Sequence, residues 1–266
     1  MQPLADWPLA ERRGLIGVFT DIDDTLTTEG AITGDALAAL QALAAAGLPC
    51  IAITGRPVGW SEAFAAAWAV DAIVAENGAV ALLRDPGRPG GIEKRYQQDA
   101  ATRTRNFARM QQVLERIEAE IPGARRATDS AGRECDIAID HSEFTRLDDA
   151  RIAATVALMR SEGMHATISS IHVNGWFGSH DKLEGARWIV RELWGRTLDD
   201  ELDRWAYVGD STNDALMFER LPNSIGVANV RRFESSLPHL PRYLASAERG
   251  AGFAEVVAAV LAARGE

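Results

Sequence analysis

Phe19-Thr20-Asp21-Ile22-Asp23-Asp24-Thr25-Leu26 closes the short apolar run Leu15 to Thr20, and this junction decides the fold. The run, broken by Gly17, suits one buried strand, and the burst of carboxylates marks the end at which that strand meets solvent. Three anions crowded at a strand end repel one another and lose hydration, and a divalent cation among them relieves both costs. Oxygen donors alone, with no His or Cys nearby, favour Mg2+ over Zn2+. Standing alone, the string reads equally well as an acidic turn or helix start.

Outward from it, the pattern alternates. Thr33 to Ala46 reads as a helix with Leu37, Leu40, Leu43 and Ala44 on one stripe and Gly47 as its terminator. Pro49 to Thr54 is a strand ending in Thr54-Gly55-Arg56-Pro57, Trp60 to Trp68 is helical, and the strand Ala72 to Ala75 runs into Glu76-Asn77-Gly78. Late in the chain come a helix from Lys182 to Trp194, a strand from Trp205 to Val208, a helix from Asn213 to Arg220, a strand from Ser224 to Val227 and a helix from Phe253 to Ala262. Alternating strands and helices predict an α/β fold, a parallel sheet with helices on both faces. Such sheets place their sites at the C-terminal strand ends, where Thr54 and the string Gly209-Asp210-Ser211-Thr212-Asn213-Asp214 also fall.

Between the halves, Arg84 to Gly91 (RDPGRPGG) reads as a Pro/Gly-rich connector. We therefore expect a core made of residues 1–84 and 179–266 and an inserted α/β cap over 85–178. The cap should hold a polar helix from Ala100 to Glu120, a strand from Cys135 to Asp140, a helix from Leu147 to Glu162 and a β-rich stretch from His165 to Phe177.

With 47% hydrophobic and 25% charged residues, the 266-residue chain has an ordinary globular composition, long enough for a domain with an insert. A net charge of −10 argues against general nucleic-acid binding, and any bound phosphate would need local positive charge from a metal, a Lys or a helix N-terminus. No run of eighteen apolar residues exists, so no membrane association is expected. Glu11, Arg12 and Arg13 interrupt what would be a signal peptide. Cys50 and Cys135 read as free thiols, and the expected compartment is the cytoplasm.

Asp-x-Asp-x-Thr-Leu at Asp21 to Leu26, Thr54-Gly55-Arg56, Lys182 at a helix start and Gly209-Asp210-Ser-Thr-Asn213-Asp214 together resemble the haloacid dehalogenase (HAD) superfamily of phosphotransferases. The long insert, with Glu76-Asn77-Gly78-Ala79, resembles its subfamily IIB, which includes Cof-type sugar phosphatases, sucrose and trehalose phosphatases and mannosyl-3-phosphoglycerate phosphatase. The resemblance implies a Rossmann-like core with an inserted cap, and Mg2+ held by Asp21, the Asp23 carbonyl and Asp210, with Asp214 as a water-bridged ligand or orienting group. It makes Asp21 the nucleophile and Asp23 the general acid and base. Thr54, Gly55, Lys182 and Asn213 become phosphate or substrate contacts. Arg56 either reaches a substrate anion or anchors the cap hinge. The substrate is then a small phosphorylated metabolite, with sugar phosphates leading, and a phosphomutase using the same aspartate is the alternative.

Asp24 stands where many relatives carry Gly and is expected to be exposed and non-catalytic. In the cap, Ile171 to Phe177 alternates so that His172, Asn174 and Trp176 share a face, read either as a leaving-group contact or as a plain exposed strand face. His141, His165, His180 and His239 lack metal-ligand spacing. Oligomeric state has no signature in the sequence.

Overall fold

The computed structural model describes residues 1–265. In chain order the strands are β1 (Gln2–Pro3), β2 (Gly17–Thr20), β3 (Thr27–Thr28), β4 (Ala31–Ile32), β5 (Cys50–Ile53), β6 (Ala72–Ala75), β7 (Val80–Arg84) and β8 (Ile92–Tyr96), then β9 (Arg125–Arg126), β10 (Ile137–Asp140), β11 (His165–Ile168), β12 (His172–Trp176), β13 (Trp205–Gly209), β14 (Asn223–Gly226) and β15 (Tyr243–Leu244). The helices are α1 (Leu9–Arg13), α2 (Gly34–Ala45), α3 (Val58–Ala67), α4 (Ala100–Glu120), α5 (Asp149–Ser161), α6 (Lys182–Trp194), α7 (Ala215–Arg220) and α8 (Arg249–Arg264).

A nine-stranded sheet runs β1-β15-β14-β13-β2-β5-β6-β7-β8 and is parallel from β1 through β6. The central strands are buried on both faces because side chains alternate between two layers. Val18 packs with Leu40 and Leu43 of α2 and Val256 of α8, while Phe19 packs with Ile189 of α6 and Met217 of α7. From β2 the chain steps to β5 on one side and later returns to β13 on the other. The order therefore reverses at β2, and helices leave in opposite directions to open a crevice beyond its C-terminal end.

The stretch Arg84 to Gly91 does not join two lobes. It closes an antiparallel hairpin, β7 with β8, that extends the core sheet. Asp85 N–H donates to Gly91 O, and Gly90 and Gly91 supply the positive φ values of the turn. Ile92 to Tyr96, assigned to the cap from sequence, thus belongs to the core sheet.

A separate antiparallel sheet, β11-β12-β10-β9, forms the other layer system. Its core joins Met110, Leu114 and Ile117 of α4 to Ile137 and Ile139 of β10, Met159 of α5 and Val173 of β12. Asp99 caps α4 by accepting from Thr102 N–H, and Asp148 caps α5 by accepting from Arg151 N–H, which sets both helix starts. The architecture is the α/β core with a small inserted cap that the sequence predicted.

Candidate active site

Asp21 follows β2 directly, and Asp210 follows its neighbour β13, so the parallel register sets both carboxylates over one crevice. Asp181 caps α6 by accepting from Glu184 N–H, and Gly195 ends the helix in the left-handed conformation. That placement puts Lys182, the first helical residue, into the crevice. Its Nζ lies 2.9 Å from Asp21 Oδ1 and 2.6 Å from Asp214 Oδ1. All three side chains are buried.

Asp214 has no lone pair to spare. Its Oδ1 accepts from Lys182 and from the Tyr207 hydroxyl, while its Oδ2 accepts from Asp210 N–H at 2.9 Å and Ser211 N–H at 3.0 Å. It is an orienting group that holds Lys182 and the loop bearing Asp210. Asp210 keeps more freedom, accepting from Asn229 Nδ2 at 3.0 Å on Oδ2 and more loosely from Thr25 Oγ1 on Oδ1. Burial pushes Asp21 up to about 7 against the pull of Lys182. Burial, with Asp21 and Asp214 nearby, holds Asp210 well above the usual carboxylate range. Lys182 is pulled down by burial, yet Asp21 and Asp214 outweigh it and hold the ammonium firmly charged.

Oxygen atoms of Asp21, Asp210 and Asp214 lie within 4.8 Å of one another. Three buried carboxylates face one buried ammonium, a deficit that one divalent cation would make good, and the donors are all oxygen. The residues therefore fit Mg2+, with Asp21 and Asp210 as the side chains free to ligate it.

Asp23 turns toward the cap. Arg56 Nε donates to its two oxygens at 2.9 and 3.0 Å, and the same guanidinium reaches Asp129 at 3.4 Å and Glu143 at 3.1 Å. Arg56 thereby links Asp23 of the core to Asp129 and Glu143 of the cap. Thr54 is fully buried at the end of β5, its Oγ1 accepting from Arg56 N–H. Gly55 carries on its carbonyl the Arg133 guanidinium at 3.0 Å. Asn213 accepts from Ser211 Oγ at 2.9 Å. Asp24 is half-buried, contrary to expectation, with its Nε partner Arg249 at 3.1 Å. Its φ of +53° explains why glycine suits that position.

Two participants carry no motif. Tyr207 and Asn229, together with the motif residue Thr25, fix the acidic loops, and no spacing in the sequence flags the first two. The face of His172, Asn174 and Trp176 is buried, not exposed. His172 Nε2 meets Glu143 at 2.9 Å, and Asn174 Nδ2 donates to Asp136 at 3.1 Å, so these two residues join the polar seam beneath the cap.

The Glu76-Asn77-Gly78 segment carries three successive positive φ values, 51°, 54° and 108°. This costly path aims the buried Glu76 carboxylate across the seam. It accepts from the backbone N–H of Val58 in the core and of Glu134, Cys135 and Asp136 in the cap. Burial, with Asp136 beside it, pushes the carboxyl up to about 8 against these donors and Arg133. A Cβ on Gly78 would sit 2.2 Å from Asp181 O, so the glycine is what lets α6 seat against this turn.

With this geometry in view, comparison with known sequences is decisive at family level: the haloacid dehalogenase-like hydrolase family matches residues 18–123, from β2 into the cap. Over that stretch the chain is similar to the haloacid dehalogenase-like hydrolases. This HAD hydrolase, of a phosphatase family, has no match among curated proteins. Solved structures share its whole fold at low identity. A protein from Thermoplasma acidophilum, 0175, superposes with a TM-score of 0.70 at 16% identity, over 93% of this chain and 99% of its own. The sucrose-phosphatase of Synechocystis, solved with sucrose and phosphate, gives 0.65 at 16% identity, over 93% and 98%. The subclass IIB sugar phosphatase BT4131 gives 0.58 at 14% identity, over 86% and 92%. The HAD core and its cap thus follow the subclass IIB architecture. Among the described residues no helix is long and apolar enough to cross a membrane.

Proposed function

We propose that the chain is a Mg2+-dependent phosphate-monoester hydrolase for a small phosphorylated metabolite, working through a phosphoryl group carried on Asp21. The observation that carries this reading is the Asp21 carboxylate at the central strand end, fixed by Lys182 within a cluster of three buried carboxylates. A carboxylate oxygen of Asp21 attacks phosphorus, the ester P–O bond breaks, and Asp23 gives its proton to the departing alkoxide. Asp23 then takes a proton from water as that water attacks phosphorus, freeing inorganic phosphate and Asp21. Lys182, held by Asp214, offsets charge on the phosphoryl oxygens, and Thr54 and the backbone around Gly55 complete their binding. Asp21, Asp210 and the Asp23 carbonyl would hold Mg2+, which would supply further neutralisation of that charge.

Arg56 ties Asp23 to the cap residues Asp129 and Glu143, so the acid is positioned when the cap is seated. The sugar-phosphate class is proposed because the sucrose-phosphatase and the sugar phosphatase share this core and cap. Two buried free thiols suit a reducing cytoplasm. The test is phosphate release from p-nitrophenyl phosphate and hexose phosphates in Mg2+. Asp21→Asn should abolish it with an unchanged circular dichroism spectrum, and full activity in that variant would overturn the reading. Accumulation of a sugar bisphosphate instead of free phosphate would make the enzyme a mutase.

A further inference from the structure

Beside Asp23 a cavity of about 360 Å³ opens between core and cap, walled by Asp24 and Glu29 from the core and by Glu143, Phe144 and Ile171 from the cap. Phe144 is 73% exposed, the most exposed of the large apolar side chains noted in the described chain. An exposed aromatic on a floppy loop would mean little, but this loop is rigidly built. The buried Asp140 carboxylate, at the end of β10, accepts four successive backbone N–H groups, from Ser142, Glu143, Phe144 and Thr145, at 2.8–3.1 Å. Ser142 Oγ donates to Ser170 O at 2.7 Å, and the Glu143 side chain is clamped between Arg56 and His172. The backbone that carries the phenyl ring at the cavity wall is therefore already ordered, and the entropy of fixing that loop has been met before any ligand arrives.

The charges of the cavity narrow what that ring would meet. Its cations, Arg56 and Arg249, are already ion-paired, to Asp23 and Glu143 and to Asp24 respectively. Carboxylates in its wall repel a second anion and accept from hydroxyls. Building on the phosphatase reading, we propose that Phe144 is the platform on which the ring of a neutral, polyhydroxylated leaving alcohol stacks, and that this loop selects ring-bearing, uncharged leaving groups over acyclic or carboxylate-bearing ones.

The test compares kcat/KM in Mg2+ for hexose phosphates, glycerol 3-phosphate, 3-phosphoglycerate and acetyl phosphate, the last reporting phosphoryl transfer without a ring. The wild-type enzyme should favour hexose phosphates over both acyclic esters. Phe144→Ala should lower the ratio of hexose-phosphate to acetyl-phosphate kcat/KM roughly tenfold, the worth of about 60 Å² of covered apolar ring face, and Phe144→Trp should restore it. An unchanged ratio in Phe144→Ala, or a wild-type preference for 3-phosphoglycerate, overturns the assignment while leaving the phosphatase reading intact. No turnover of any of these compounds by the wild-type enzyme overturns the phosphatase reading itself, and the assignment with it.

Discussion

Replacing Glu76 by Gln tests whether one carboxylate clasps the cap to the core. In the native protein Oε1 accepts from Val58 N–H and Glu134 N–H, both at 3.0 Å, and Oε2 accepts from Glu134, Cys135 and Asp136 N–H. An amide offers a single oxygen. Its better placement is at the Oε2 position, which keeps the three cap donors but points an NH2 group at the Val58 N–H. Above about pH 8, where Glu76 is ionised, the cost is one hydrogen bond to a charged acceptor and one buried donor without a partner, together roughly 3–5 kcal/mol. Removing a charge that burial already disfavours returns part of that, so a net loss of about 2–3 kcal/mol is expected. Urea unfolding measures the loss, and amide hydrogen exchange locates it, with faster exchange at Val58 and with the Gln oxygen the other way round at Cys135 and Asp136. Stability within about 0.5 kcal/mol of wild type, with unchanged protection at all four amides, would refute the clasp.

Lys182→Met leaves Asp21 and Asp214 buried without their shared cation, and phosphate release should fall about a hundredfold or more; a smaller loss in steady-state turnover counts against its role. Asp21, near 7, and Glu76, near 8, bind protons more tightly folded than unfolded. The stability they contribute is therefore complete below about pH 4 and lost as pH rises through 7 to 8. In EDTA the Tm should fall over that window, and Mg2+ should recover most at the alkaline end; a Tm rising from pH 5 to 8 in EDTA would contradict the assignment. Binding of the cation displaces protons from the same cluster, so calorimetric Mg2+ affinity should weaken below pH 7, by up to about tenfold per pH unit for each proton. Gly78→Ala forces a methyl against Asp181 O and disturbs the seat of α6. A loss of about 3 kcal/mol in stability is expected, with falling activity, and a wild-type melting curve would show that the turn yields more easily than the contact implies.

What could be read from sequence was whatever the sheet placed at strand ends. Asp21, Thr54 and Asp210 each follow an apolar run whose length and β-branched content name it a strand, and the topology then does the rest by bringing C-terminal ends together. Helix α6 was legible to the residue because Asp181 and Gly195 punctuate an amphipathic stretch. The β7–β8 hairpin was not, since RDPGRPGG carries the same Pro and Gly signal whether it turns a chain back within a sheet or leads it to another lobe. Side-chain pairings across the seam left no local trace either. Arg56 meets Glu143 and Glu76 meets Asp136 across 87 and 60 residues, and neither pairing follows from a periodicity or a spacing. Asp23 is read as the general acid from sequence, and nothing in its spacing announces the bond to Arg56 that makes its position depend on the cap.

The central claim is that Asp21 carries the phosphoryl group. Borohydride quenching of the enzyme during turnover of a hexose phosphate or acetyl phosphate, followed by peptide mass mapping, tests it directly, because hydride reduces an aspartyl phosphate to homoserine. The account predicts homoserine at position 21 and nowhere else. Turnover without that product, or homoserine at Asp23 or Asp210, would contradict it.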